Sequence, residues 1–467
     1  MDNKLHEKAI NALRQVNDPE VGMNIVRMGL VHSLEVTENS ARLVMLATSP
    51  SCPMGTMLTD TARAALLTVF PEDAEIDVIL DLNIPWSEDL MQEDSDEPVK
   101  ELQAPLTPIA VGRLPFLIIA IMSLIVGFAL GLQRTGLAFS LPGNPSIMMH
   151  GPLVVGGFLG SVISLERAVA LPWKWCWLAP ALMGLSAPAT LILGVEFGAP
   201  LLTIGSAIFL LTNIVLTYKH QTLFNAAMAV AALSFLFGNV AWLQGAAIPH
   251  IVQFWASFLV LTIVGERLEL SRFGTKHPLK NAFFIFASLP LVIAPVFTFN
   301  GLGIGAIIMG IGCFFLTIWL LKFDIAKSML YKGGITSFVS IALLSGYIWL
   351  AVAGFGWIVF GNLEAGIYYD ATLHSLFLGF VFSMIFGHAP IIFPAILKTP
   401  MPYNHYMYVP LVLLHTGVAF RVLGGFSGYM EMRQHAAMLN ATAIGVFFLV
   451  VILTVINGRK TNYPVQE

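Results

Sequence analysis

The chain has 467 residues, of which 57% are hydrophobic and 11% charged, and its mean hydropathy of +0.78 excludes an ordinary soluble globular protein. A net charge of -4 with no basic stripe excludes nucleic acid as a partner. Three cysteines without paired spacing, Cys52, Cys176 and Cys313, support neither a disulfide framework nor a cysteine-based zinc site, and they point to a reducing compartment for the soluble part.

The opening, MDNKLHEKAINALRQV, is polar and amphipathic, so no cleavable signal peptide is expected and the first hundred residues are expected to stay in the cytoplasm. Residues 1–91 read as a small α/β domain. Leu5, Ala9, Ala12, Leu13 and Val16 recur at helical spacing. GLVHSLEV and ARLVMLAT flank a turn-like TENS as in a hairpin, MGTMLTDTARAALLTVF suggests a second helix, and Ile76, Val78, Leu80 and Leu82 alternate with acids as in a strand. The predicted order is helix, strand, strand, helix, strand. Between Ser51 and Pro53, Cys52 precedes the second helix, a position that would lower its pKa and sharpen it as a nucleophile or metal ligand. Residues 92–108 gather acids, end in prolines and read as a solvated linker.

From 109 to 457 the chain reads as an all-α polytopic domain of twelve apolar segments, each of about 20 residues and enough to cross a hydrocarbon core. Residues 458–467 form a tail. If the linker is cytoplasmic, the loops on that side carry nearly all the lysine and arginine and the opposite loops only Arg134 and Arg433, so both termini are expected in the cytoplasm of a multi-pass protein of the cytoplasmic membrane.

His150, His250 and His374 open the second, sixth and tenth segments, at 147–167, 248–268 and 366–395, and divide the domain into three groups of four helices. Phe158, Phe258 and Phe382 follow at the same offset. Glu166 with Arg167 and Glu266 with Arg267 close the first two copies; interfacial anchoring explains them better than proton entry. His388 follows His374 on nearly the same helix face but about 21 Å away, so the two cannot share one metal. Neutral imidazole suits haem iron and copper, and an ionisable group inside a membrane segment is a functional candidate. His374 is the first candidate haem ligand with His150 as its partner, His388 and mid-helix His415 are second candidates, and His250 is a further metal candidate. Arg421 is expected to face the bundle interior.

Two resemblances follow from these residues. The stretches NDPEVGMNIVRMGLV (with Asp18 and Glu20), ATSPSCPMG (with Thr48, Cys52 and Pro53) and DLNIPWSEDLM (with Trp86) resemble the SufT/PaaD-type iron–sulfur assembly family over residues 5–91. The resemblance implies maturation or repair of iron–sulfur proteins, with Cys52 as the functional thiol, a transient cluster or iron as cargo, and the assembly machinery or client apoproteins as partners. Arg113 and Pro115, His150, LHSLFLGFVFSMIFGHAP with His374 and His388, and Arg421 resemble the NnrS family of twelve-helix haem- and copper-containing proteins linked to nitric oxide metabolism. His150 stands alone where that family usually has a His-x-His-Glu cluster.

The leading expectation is therefore a membrane haem protein, with copper as a second metal, coupled to cluster assembly or repair under nitric oxide or redox stress. Two rival readings stay open: a transporter of a small solute or metal that feeds the assembly domain, and a membrane scaffold for cluster assembly. Nothing in the sequence requires catalytic turnover.

Overall fold

A computed structural model describes residues 2–49, 52, 54–71, 73–92, 109–399 and 401–461. It shows a small α/β region followed by an all-helical body. Pro53 and the expected linker beyond Gln92 lie outside the described residues.

In the α/β region, the helix Asp2–Leu13 buries Ala9, Ala12 and Leu13 on one face. A clip of two-residue strands, β1 (Asn17–Asp18) and β2 (Met23–Asn24), was not foreseen from the sequence. Strands β3 (Val31–Thr37), β4 (Ser40–Leu46) and β5 (Glu75–Asp81) form one sheet in that order, β3 antiparallel and β5 parallel to β4. The crossover to β5 is the helix Gly55–Leu67, which buries Leu58, Ala62, Ala65 and Leu66. Gly29 takes a φ of 68°, and a side chain there would run into the Leu90 carbonyl, so glycine lets the segment around Trp86 close over this end. Trp86 is fixed by its indole N–H, which donates to the Met28 carbonyl at 2.8 Å.

Among the described residues, twelve helices of the body are long and apolar enough to cross a membrane, from Val111–Arg134 to Met430–Gly458, and make this a multi-pass membrane protein. Ile147–Ala170, Ile248–Phe273 and Ile367–Leu397, the second, sixth and tenth, are buried over 72, 78 and 72% of their apolar windows, against 33–56% for the other nine. One central helix thus comes from each group of four. Two of these three are not plain α-helices. Pro152–Gly160 and Ser375–Phe382 have π-helical hydrogen bonding, the first beginning two residues after His150 and the second directly after His374. The loosened ladder is satisfied from neighbours: the Ser123 hydroxyl donates to the Leu153 carbonyl at 2.9 Å.

The α/β region docks on the body. Trp86 packs against Phe273 with ring centres 5.0 Å apart and lies under the Arg272 guanidinium at 4.8 Å. Arg272 Nη2 also donates to the Thr48 carbonyl at 2.8 Å, and Lys332 Nζ donates to the Gly22 carbonyl at 2.8 Å.

Beneath this contact Arg267, expected as an interfacial anchor, is 1% exposed and points Nε and Nη2 at Asp324 Oδ1 from 2.9 and 2.7 Å. Asp324 Oδ2 accepts from the Tyr347 hydroxyl at 2.7 Å and the Ala326 N–H at 3.2 Å. Anchoring at a wet interface is thereby replaced by a fully buried ion pair. Asp324→Ala is expected to cost on the order of 3 kcal/mol, because it leaves a buried guanidinium unpaired, and Arg267→Met combined with Asp324→Leu is expected to recover part of that loss. Denaturant unfolding of the detergent-solubilised protein, followed by tryptophan fluorescence, checks both. A single variant as stable as the wild type would mean that the pair is not structural.

Candidate functional sites at the two ends of the body

The central helices enclose a cavity of about 270 Å³ at the end of the body away from the α/β region. His150 and His374 face each other across it with ring centres 6.3 Å apart and planes within 18° of parallel. His150 Nδ1 meets the Gly127 carbonyl at 2.7 Å, and His374 Nδ1 meets the Asp370 carbonyl at 2.7 Å. A carbonyl can only accept, so each Nδ1 carries its proton and each neutral ring keeps its lone pair on Nε2. Glycine at 131 makes room for the His150 ring, which a side chain there would strike.

Arg421 lines the same cavity. It holds Asp370 in a two-pronged pair, Nε to Oδ2 at 2.7 Å and Nη2 to Oδ1 at 2.9 Å, and Asp370 Oδ1 also stands 3.4 Å from His374 Nδ1. The chain Arg421–Asp370–His374 thus fixes the ring's tautomer and tilt. Asp370 was missed by sequence reasoning, although an acid one helical turn before a membrane histidine is a visible signal. Arg134 and Arg433, the two cations of the far loops, also line the cavity. Its walls are apolar, with Phe128, Trp255 and Phe382 among them, and Phe382 lies against Phe158 with ring centres 6.2 Å apart.

The other histidines stand elsewhere. His250, in register in the sequence, is 43% exposed and its Nε2 meets Glu364 at 3.1 Å, so the second copy adds no histidine to the cavity. In His415 both ring nitrogens are engaged: Nδ1 accepts from the Trp349 indole at 2.9 Å and Nε2 meets the Ser345 hydroxyl at 2.8 Å. Both nitrogens of His415 are thus engaged within the helices, away from the cavity that His150 and His374 line. His388 lines a different cavity from His374. Among the described residues no three His, Cys, Asp or Glu side chains are gathered around one point.

The second cavity, about 50 Å³, lies where the α/β region meets the body. Asp18, Glu20, Thr48 and Cys52 line it from the α/β side, and Glu166, Arg167, Glu266, Glu269 and His388 from the helices. The expected anchors Glu166, Arg167 and Glu266 are therefore covered by protein, with Arg167 Nη2 donating to Glu266 at 2.9 Å. Trp86 and Thr48 serve the docking contact, Thr48 Oγ1 standing 3.5 Å from Glu269. Asp18 is 5% exposed; its Oδ1 accepts from the Glu20 and Val21 N–H groups at 2.8 and 3.3 Å. Burial pushes its carboxyl up to about 6 against those hydrogen bonds. Burial, and then the Asp18 charge, likewise hold Glu20 well above the usual carboxylate range.

Cys52 departs from expectation. The helix begins only at Gly55, and the thiol, half-buried beside Glu20, Asp18 and Glu269, is pushed well above its ordinary pKa by burial first and by those carboxylates second. Desolvation and negative neighbours outweigh the helix end.

Residues 113–456 match the family described as a domain of unknown function, DUF8744, and residues 6–78 match the family described as iron-sulfur cluster assembly protein. The Fe-S protein maturation auxiliary factor YitW of Bacillus subtilis (strain 168) is 36% identical over 92 residues, 20% of this chain and 89% of the relative. The auxiliary factor SufT of Staphylococcus aureus (strain USA300) is 36% identical over 77 residues, 16% of this chain and 86% of the relative. A crystal structure of a DUF59 domain from Bacillus anthracis shares 34% identity over 20% of this chain and 88% of its own, with a TM-score of 0.19.

Because the Cys52 thiol is held protonated, its alkylation by iodoacetamide is expected to keep accelerating with pH beyond the point, about 8.5, where an ordinary thiol is half ionised. Glu20→Gln removes one of the opposing charges and should speed alkylation at pH 7. Mass spectrometry of the Cys52 peptide reads both, and a rate that levels off near neutrality would contradict the assignment.

Proposed function

The chain belongs through its helical body to the family described as domain of unknown function DUF8744, and through its N-terminal region to the iron–sulfur cluster assembly proteins; on that premise we propose that the body is a haem protein of the cytoplasmic membrane, with both termini in the cytoplasm, that serves iron–sulfur maturation or repair under nitric oxide or redox stress. The observation that carries the haem reading is the His150–His374 pair. The two ring centres stand 6.3 Å apart, and with Nδ1 of each committed to a backbone carbonyl, His150 and His374 would hold the iron through their open Nε2 nitrogens.

The residues around the pair fit the same group. Arg421 and Asp370 orient His374, and Arg134 and Arg433 offer cations for carboxylates near the far surface. Phe128, Trp255 and Phe382 exclude water. Haem held by two histidines supplies a one-electron couple, whose potential depends on those ligands and on the polarity around them. The short NnrS-like motifs around His150, His374 and Arg421 support the link to nitric oxide. The relatives of the N-terminal region, themselves Fe-S protein maturation factors, support the link to cluster assembly.

The absorption spectrum of detergent-purified protein, expressed with haem supplied, tests the reading. A Soret band with low-spin features is expected in the wild type, lost or converted to high spin in His374→Ala and in His150→Ala, and retained in His415→Ala and His250→Ala. No band in the folded wild-type protein, or a band untouched by replacing His150 and His374, would sink it.

A further inference from the structure

We propose that the cavity between the α/β region and the body is a receiving site for a divalent transition cation, of the iron(II) class, which reaches Cys52 with the help of carboxylate and imidazole groups from the membrane helices. This inference stands apart from the haem reading: it concerns other residues at the opposite end of the molecule.

The cavity joins seven groups of metal-binding chemistry. Asp18, Glu20 and Cys52 come from the α/β region, and Glu166, Glu266 with Glu269, and His388 from the second, sixth and tenth helices. Carboxylate, imidazole and thiolate together suit a borderline cation, whereas oxygen ligands alone would suit magnesium or calcium. His388 Nδ1 is committed to the Met384 carbonyl at 2.8 Å, which leaves Nε2 as the ring's open nitrogen.

Charge makes the same case. Glu266 is paired with Arg167 and Glu269 lies 3.8 Å from Arg272, whereas among the described residues Glu20 and Glu166 make no ion pair within 4 Å and meet Arg267 and Arg167 only at longer range. Asp18, 5% exposed, lines the cavity with an Oδ2 that accepts from no donor among the described residues. Carboxylates crowded together in a partly buried space repel one another unless protonated or joined by a cation. Among the described residues no three of these groups surround one point, so the side chains would have to draw together to hold the ion.

Anaerobic titration of the full-length, reduced protein in detergent with Co²⁺ tests this. One saturable equivalent is expected, with a thiolate-to-cobalt charge-transfer band in the near ultraviolet that disappears in Cys52→Ser. Glu166→Gln and His388→Gln, both on membrane helices, are expected to weaken binding at least about tenfold while thermal melting stays as in the wild type. His150→Ala should leave it unchanged. If Glu166→Gln does not fold, Glu266→Gln carries the same expectation. Absence of a Cys52-dependent band overturns the proposal. So does a band whose affinity is indifferent to the helix substitutions, which would confine the ion to the α/β region.

Discussion

Lipid offers no water to an ionisable side chain, so each one in the body must find its partner inside the protein. The buried pair of Arg267 and Asp324 shows the constraint at its most severe. Its guanidinium is 1% exposed and its carboxylate is shared with the Tyr347 hydroxyl and the Ala326 N–H, so three segments far apart in sequence converge on one charge. A pair of this kind adds little net stability against an apolar replacement, but it allows few alternative arrangements of the helices that carry it. Fixing the sixth helix fixes Glu266 beside Arg167, and with it the floor on which the α/β region rests.

The same helices therefore serve two ends. His150 and the Glu166–Arg167 pair belong to the second helix, and His374 and His388 to the tenth. At the far end the histidines face each other over apolar walls; at the near end carboxylates face a thiol contributed by a separate fold. Position is transmitted between them by rigid rods rather than by loops, which is how a site can be held to a fraction of an ångström inside lipid. The docking contact around Trp86, Phe273 and Arg272 sets the remaining coordinate, the seating of Cys52 against the helix ends.

Much of this was legible beforehand because it rests on long-period signals. Twelve apolar runs gave the helices to within a few residues, the recurring histidines marked the three that prove central, and alternation found β3, β4 and β5. What escaped has physical reasons. Two-residue strands such as β1 and β2 have no periodicity to read. Glu166 and Glu266 look like interface residues when only the helix end is considered, because their burial depends on a neighbour that the linker does not announce. The thiol pKa of Cys52 was misjudged for the same reason: the helix end is local and visible, whereas Glu20 and Glu269 arrive from elsewhere in the chain. His415 looked available until Trp349 and Ser345, from another helix, occupied both of its nitrogens.

The π-helical stretches explain how copies with equal spacing came to differ. Sixteen residues separate His150 from Glu166 and His250 from Glu266, and both glutamates reach the same cavity, yet His150 looks inward and His250 outward. The second helix is π-helical over Pro152–Gly160, and the sixth is α-helical throughout that interval. Each π turn takes up an extra residue and delays the helical phase by on the order of 100°. The winding of the backbone, and not the choice of side chain, thus decides which copy of a repeated histidine faces its counterpart. A change of pitch in two of the three repeated segments thus accompanies the one histidine pair that faces across the cavity.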